Sequence, residues 1–343
     1  MTGKLKYEGL FVEGHPSSKN VKIFNKNGAL KYEGEVRSGL RTGQGKSYHS
    51  SGKVKFDGEF KDDKPNGKSC KVYSSTGKIH YEGVIVSGVK TGTGKEYYPK
   101  TGRLEFEGEF LNNLRHGAKV RQFNAYGKIL YEGEMKFGLR DGNGKEYHPN
   151  GRLLYEGNFS KDKYSGKNVK IFSEDGSVRF EGNIVQGCRQ GPGKIYNWNG
   201  ILRYEGEFKN DGYHGKNVKE VDHDKNVMYL GEMVEGVKNG YGKEFHKNGK
   251  LWYEGEFIGG SPNGDNVKIF GATGKLEFEG EMVCGVKDGP GTEYFENGKV
   301  CYKGPFVSDK RQGPDGKLWD KNGKVLYSGE FFDGNKKDSK KSN

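Results

Sequence analysis

Residues 39–47 read GLRTGQGKS, one residue away from a phosphate-binding loop. Such a loop needs G-x-x-x-x-G-K-[ST], because its backbone N–H groups cradle phosphate oxygens while the Lys and the hydroxyl hold charge and metal. Here five residues separate Gly39 from Gly45 instead of four. The run also recurs, as GVKTGTGKE (88–96), GLRDGNGKE (138–146), GCRQGPGKI (187–195), GVKNGYGKE (236–244) and GVKDGPGTE (285–293). Five of the six copies lack the hydroxyl, and none opens a helix, the element that gives such a loop its anion affinity. Nucleotide chemistry is therefore not expected.

Other chemical residues fail in the same way. His49, His148 and His246 share one register, four units apart. Metal ligands must approach one ion to about 2 Å, whereas strands about 4.8 Å apart would separate these rings by roughly 40 Å. His116 and His214 precede a glycine in a loop register and suit a turn better than catalysis. Carboxylates follow the first aromatic of many units: Glu8, Glu33, Asp57, Glu82, Glu107, Glu132, Glu156, Glu181, Glu205, Glu254 and Glu279. Two carboxylates across a sugar can cleave it, but equivalent carboxylates at every step define no single site. They read as a solvated face paired with lysines. No nucleophile–base constellation emerges, so the chain is expected to be no enzyme, with no cofactor and no metal.

The elements that carry these residues are repeats. An aromatic-x-Gly tripeptide starts at Tyr7, Tyr32, Phe56, Tyr81, Phe106, Tyr131, Tyr155, Phe180, Tyr204, Tyr229, Tyr253, Phe278, Tyr302 and Tyr327, always 24 or 25 residues on. Units alternate: odd ones carry segments such as KNVKIF (19–24 and 167–172), even ones carry G-x-G-K-x-[YF]. The building block is thus a pair of about 49 residues. Residues 4–332 are expected to form one array of about 13.5 units, and the Lys-rich segment 333–343 is expected to be a flexible tail.

Composition agrees with a turn-dense β structure. Only 31% of the 343 residues are hydrophobic and 58 are Gly, yet 13% are aromatic; disordered chains are poor in aromatics. In RLEFEGEF (103–110), Leu104, Phe106, Gly108 and Phe110 share one face and three glutamates the other, the period of a strand. A polar loop is expected at 111–117, then a second strand. Asn-Gly at 27–28, 150–151, 248–249 and 297–298 predicts hairpins with positive φ at both residues. The expected fold is all-β: an elongated, twisted and curved antiparallel meander, a single-sheet ribbon of stacked hairpins with almost no helix. Its core is expected to hold Tyr32, Gly34, Phe106, Gly108, Phe110, Tyr131, Gly133, Tyr204, Gly206, Phe208, Tyr253, Gly255 and Phe257, with rings of neighbouring strands lying against bare glycine backbone.

Fourteen such tripeptides in register resemble MORN repeats, including the bacterial-type variant. The densest stretches are YEGEFKNDGYHG (204–215) and FEGEFLNNLRHG (106–117). The units are slightly longer than is usual in that family, and odd ones lack the second glycine of G-x-G. The resemblance implies an elongated sheet of hairpins and a structural or protein-interaction role in cilia, flagella or cortical cytoskeleton. It also leaves open an adaptor that binds anionic phospholipid at a membrane surface.

Charge suggests where a partner could dock. The net charge is +12, which draws acidic partners. Even units place a basic residue nine positions after the aromatic, at Arg41, Lys90, Arg140, Arg189, Lys238 and Lys287, and another at Lys46, Lys95, Lys145, Lys194 and Lys243. In loops along one edge they would form a basic docking row for an acidic protein surface, recurring about every 19 Å; the bland alternative is solubility. Open sheet ends invite homodimerisation. Nucleic acid is not expected, since the aromatics fall on the core register rather than among exposed basic residues. The four cysteines lack C-x-x-C spacing, no apolar run approaches 18 residues, and no secretory signal is apparent. A cytoplasmic location is expected, in the axoneme or cytoskeleton.

Overall fold

The computed structural model describes residues 4–337. No helix occurs among them; the regular elements are antiparallel strands. The chain divides into two compact units, Met1–Gly166 with Phe172–Gly176, and Lys167–Ile171 with Ser177–Asn343. In the first, strands pair in chain order from Ser18–Phe24 to Leu153–Ser160. In the second, the same meander runs from Val178–Val185 to Val325–Phe332. Neither meander closes into a barrel. Of the tail, Asn335–Lys336 pairs with Phe331–Phe332, and residues 338–343 lie outside the described residues.

The turns differ from the sequence expectation in an instructive way. Strand Leu104–Leu111 is followed directly by Leu114–Phe123, so the expected loop at 111–117 shrinks to Asn112–Asn113. Both have positive φ, 52° and 68°, the geometry of a type I′ turn whose twist matches the strands it joins. Ser38–Gly39 does the same in an even unit, at 47° and 80°. At the Asn-Gly steps, by contrast, only the glycine has positive φ. These are wider connections: at the first, Asn25 Oδ1 accepts from the N–H groups of Asn27 (2.9 Å) and Ala29 (3.0 Å), and at the other three the asparagine of the Asn-Gly step accepts from the N–H two residues on. The asparagine side chain thus supplies hydrogen bonds that a two-residue turn would make through its backbone.

On one face lies the core. Tyr32, Phe106, Phe110, Tyr131, Tyr204, Phe208, Tyr253 and Phe257 are all at most 3% exposed, and each stabilises the fold by roughly 2–3 kcal/mol of apolar burial. The tyrosine rings fold over glycines of their own strand and the next. A methyl group on Gly45 would lie 2.3 Å from the Tyr32 hydroxyl oxygen, and that hydroxyl donates to the Glu35 carbonyl at 2.8 Å. At Gly108 the space is filled instead by Val120, whose Cγ1 would lie 2.7 Å from an added Cβ. Across the first unit the register reads Cys70–Gly83–Gly94–Gly108, and further on Val120–Gly133–Gly144–Gly157. A side chain replaces the missing second glycine in most odd units, Val120 and its equivalents or Cys70, and so fills every fourth strand until Gly316 restores the glycine in the last odd unit. This packing period, not the single hairpin, sets the 49-residue pair.

Aromatic clusters complete each pair. Tyr32 and Phe56 meet Phe60 edge-on, with centroids 5.1 and 4.9 Å away. Tyr229, Tyr253 and Phe257 repeat the cluster in the second unit at 5.6 and 4.8 Å. Edge-to-face geometry sets the positive ring edge against a negative face.

Candidate functional site

The two basic rows lie on opposite faces of the sheet. Arg41 belongs to strand Leu40–Tyr48, not to a loop, and its guanidinium lies over the rings of Tyr32 and Phe60 at 5.7 and 5.1 Å. Lys90, Arg140, Arg189, Lys238 and Lys287 cap the equivalent ring pairs. A cation held over an aromatic face is attracted by the ring quadrupole, more so when partly desolvated.

Carboxylates fix these cations in place. Arg41 Nε donates to Asp63 Oδ1 at 2.9 Å, and Arg140 and Arg189 hold Asp162 and Asp211 the same way at 3.0 and 2.8 Å. Burial alone would raise the Asp63 carboxyl, but hydrogen bonds from the Arg41 backbone and side chain outweigh it and hold the group below its usual range. Lys90, Lys238 and Lys287 instead pair with Glu96, Glu244 and Glu293 on their own strands. Glu96 also accepts from Arg115 at 2.7 Å, and Arg115 reaches on to Glu105 at 2.7 Å. Burial pushes the Glu96 carboxyl up, and the bonds from Lys90 and Arg115 pull it further down, to a net value below the ordinary 4.5. This first row is bound within the chain and forms no free docking edge.

The second row points the other way. Glu33, Lys46 and Asp57 stand directly opposite one another on successive strands. The alternation extends through the first unit as Glu8–Lys22–Glu33–Lys46–Asp57–Lys71–Glu82–Lys95–Glu107–Arg121–Glu132–Lys145–Glu156. First strands supply the acid and second strands the base. Lys46 reaches Asp57 at 3.5 Å and Lys145 reaches Glu156 at 3.1 Å. In the second unit Lys194 and Lys243 reach Glu205 and Glu254, both at 2.9 Å. These side chains are roughly half exposed, so each pair is worth only about 0–1 kcal/mol. Together they make a hydrated face on which, in the first unit, each charge from Lys22 to Lys145 is bracketed by its opposite.

Three register-equivalent histidines are structural, and His116 and His214, expected in a loop, lie instead in strands Leu114–Phe123 and Gly212–Val221. His49, His148 and His246 each bond through Nε2 to a backbone carbonyl, of Tyr73, Phe172 and Phe270, at 2.9–3.0 Å. Among the described residues no three His, Cys, Asp or Glu side chains group as metal ligands. In the stretch GLRTGQGKS Gly39 closes the turn and the rest is strand, with Arg41 and Lys46 on its two faces.

A family model for the MORN repeat matches residues 32–54, 56–75, 81–103, 106–118, 131–151, 155–169 and 204–216. A MORN repeat variant matches 238–258 and 287–308. The chain belongs to the MORN-repeat family. MORN repeats mark it as a repeat protein of protein or membrane interaction. Among curated proteins none matches this MORN chain. Of solved structures, the selenomethionine-substituted virginiamycin B lyase from Staphylococcus aureus is 12% identical over 87% of this chain and 89% of that one, with a TM-score of 0.14. The Photorhabdus luminescens Tc holotoxin pore is 11% identical over 90% of this chain and 19% of that one, with a TM-score of 0.15. Likeness this low carries no argument about the MORN chain.

Proposed function

We propose that this MORN chain is a non-enzymatic scaffold that binds other proteins through its charged face, as a component of a ciliary or cytoskeletal assembly in the cytoplasm. The observation that carries this reading is the division of labour between the faces. One face uses its rings, glycines and cations to hold the sheet together; the other repeats a polar, hydrated surface at every strand, free of packing duties. A repeat protein acts by offering such surface at regular intervals.

Proximity labelling of the full chain in ciliated cells tests this reading. Enrichment of axonemal or cytoskeletal proteins is the expected result. Enrichment of membrane proteins alone, together with salt-sensitive pelleting on phosphatidylserine vesicles, would replace the scaffold with a membrane-surface adaptor.

A further inference from the structure

The charge ladder is interrupted in the second unit. From Glu181 it reads Glu181–Lys194–Glu205–Lys219–Leu230–Lys243–Glu254–Lys268–Glu279–Thr292–Lys303–Lys317–Ser328. The interruption at Leu230 is mild, since Lys219 and Lys243 each keep a carboxylate opposite on the other side, Glu205 and Glu254. The second interruption is deeper. Thr292 stands where a base belongs, Lys303 where an acid belongs, and Ser328 where the next acid belongs. Lys303 therefore faces Thr292 and Lys317, while Lys317 faces Lys303 and Ser328. Like charges directly opposite on neighbouring strands are destabilising, and both side chains belong to exposed residues.

The same strand has lost a second carboxylate. Where Glu59, Glu109, Glu207 and Glu256 stand in other odd units, Val300–Val307 carries Pro305, directly opposite Pro290. The charged face is thus both basic and locally apolar here, as it is not in the balanced first unit. Lys303, Lys317, Pro290, Pro305 and Trp319 line one groove, floored by the backbone of Gly291 and Gly304. Three carboxylates also line it. Glu279 is engaged by the Tyr294 hydroxyl and stands opposite Lys268, which also lines the groove; Lys303 and Lys317 are the pair that stand opposite each other with no carboxylate between them.

We infer that this groove binds an acidic peptide segment of a partner protein, whose carboxylates bridge Lys303 and Lys317 while an apolar side chain rests on Pro290, Pro305 and Trp319. It rests on the scaffold reading and names the kind of partner. A carboxylate between the two ammonium groups replaces the missing rung and restores the alternation. The groove crosses five strands, about 19 Å at the usual strand spacing, which fits about six extended residues. In an extended segment alternate side chains face the sheet, so the acidic and the apolar residues that make contact together occupy every second position.

Fluorescence anisotropy with a labelled Glu-Ser-Glu-Ser-Leu-Ser hexapeptide, whose acidic and apolar side chains share one face, tests the inference on the full chain. The peptide binds saturably and more weakly as salt rises, and its Lys-Ser-Lys-Ser-Leu-Ser counterpart does not. Lys303→Glu, which rebuilds the alternating ladder, weakens binding at least about tenfold, equivalent to one 1.4 kcal/mol step. Lys95→Glu makes the same change in net charge within the balanced ladder and alters binding less than about twofold. Lys317→Ser supplies a second variant without a new charge, and circular dichroism confirms that all three are folded. Equal weakening by Lys303→Glu and Lys95→Glu, or no binding by the native chain, overturns the inference. So does binding of phosphatidylserine vesicles with the same dependence on Lys303 and no peptide binding. Any of these leaves the scaffold reading to stand or fall on its own labelling experiment.

Discussion

Arg41 and Asp63 belong to consecutive hairpins, yet the Arg41 side chain donates to the aspartate carboxylate at 2.9 Å and to its backbone carbonyl at 2.6 Å. The bond locks one turn of an odd unit onto the strand of the even unit before it, and it holds the guanidinium over the Phe60 ring at 5.1 Å. Basic residues that look available in the sequence are thus part of the repeat-to-repeat contact.

Glu96 is a doubly held anchor of this kind, because Lys90 and Arg115 both bond it at 2.7 Å. Its carboxyl titrates below the ordinary 4.5 in the folded chain, despite burial, because those two cations bind the ionised form. The stabilisation is therefore present above pH 4.5 and is lost as pH falls through the lower folded value. Glu96→Gln should cost about 1–3 kcal/mol at neutral pH. The gap between variant and native chain should close in acid, as urea unfolding at a series of pH values would show.

Glu220 should behave in the opposite sense. It lies between Tyr204 and Tyr229 in the register, where Gln122 lies between Phe106 and Tyr131 in the first unit. Burial pushes its carboxyl up, against the pull of Lys238 and Arg203. A raised carboxyl contributes most below pH 4.5 and loses stability as pH rises through the folded value. Glu220→Gln should therefore stabilise the chain at neutral pH by about 0.5–1 kcal/mol. Calorimetry at pH 7 would show a higher midpoint, and a lower one would sink the assignment.

Glycines should divide sharply by what lies above them. Gly144→Ala places a methyl 2.5 Å from the Tyr131 hydroxyl and 2.6 Å from its ring, an overlap expected to cost about 3 kcal/mol or more. Gly52→Ala meets nothing within 4 Å but has φ of +79°, so its cost should be only the left-handed backbone penalty of about 1–2 kcal/mol. Comparable losses in denaturant midpoint would contradict the ring-on-glycine packing.

Much of this was legible in the sequence. Fourteen aromatic-x-Gly steps fix the hairpin period, and strict alternation in RLEFEGEF separates the faces. Turn lengths were not legible, because Asn112–Asn113 and Asn27–Gly28 look alike in composition. Only the backbone shows two positive φ values in the first and one in the second. Side-chain direction was hidden because Arg41 reads as a loop residue in the sequence; once it lies in strand Leu40–Tyr48 with Lys46, the odd separation of five residues puts the two on opposite faces. One overlooked signal was Glu96, Glu146, Glu244 and Glu293, each six residues after the basic residue of its unit. That spacing marks intramolecular partners for the first row.

The most direct test of the two-face account compares Arg140 with Lys145, five residues apart on one strand. Arg140 lies over Tyr131 and Phe159 and bonds Asp162 and Glu146, while Lys145 pairs with Glu156 on the hydrated face. Chemical unfolding should show that Arg140→Gln loses about 2 kcal/mol or more, whereas Lys145→Gln changes stability by less than about 0.5 kcal/mol. Equal losses, or a larger loss at Lys145, would contradict the account.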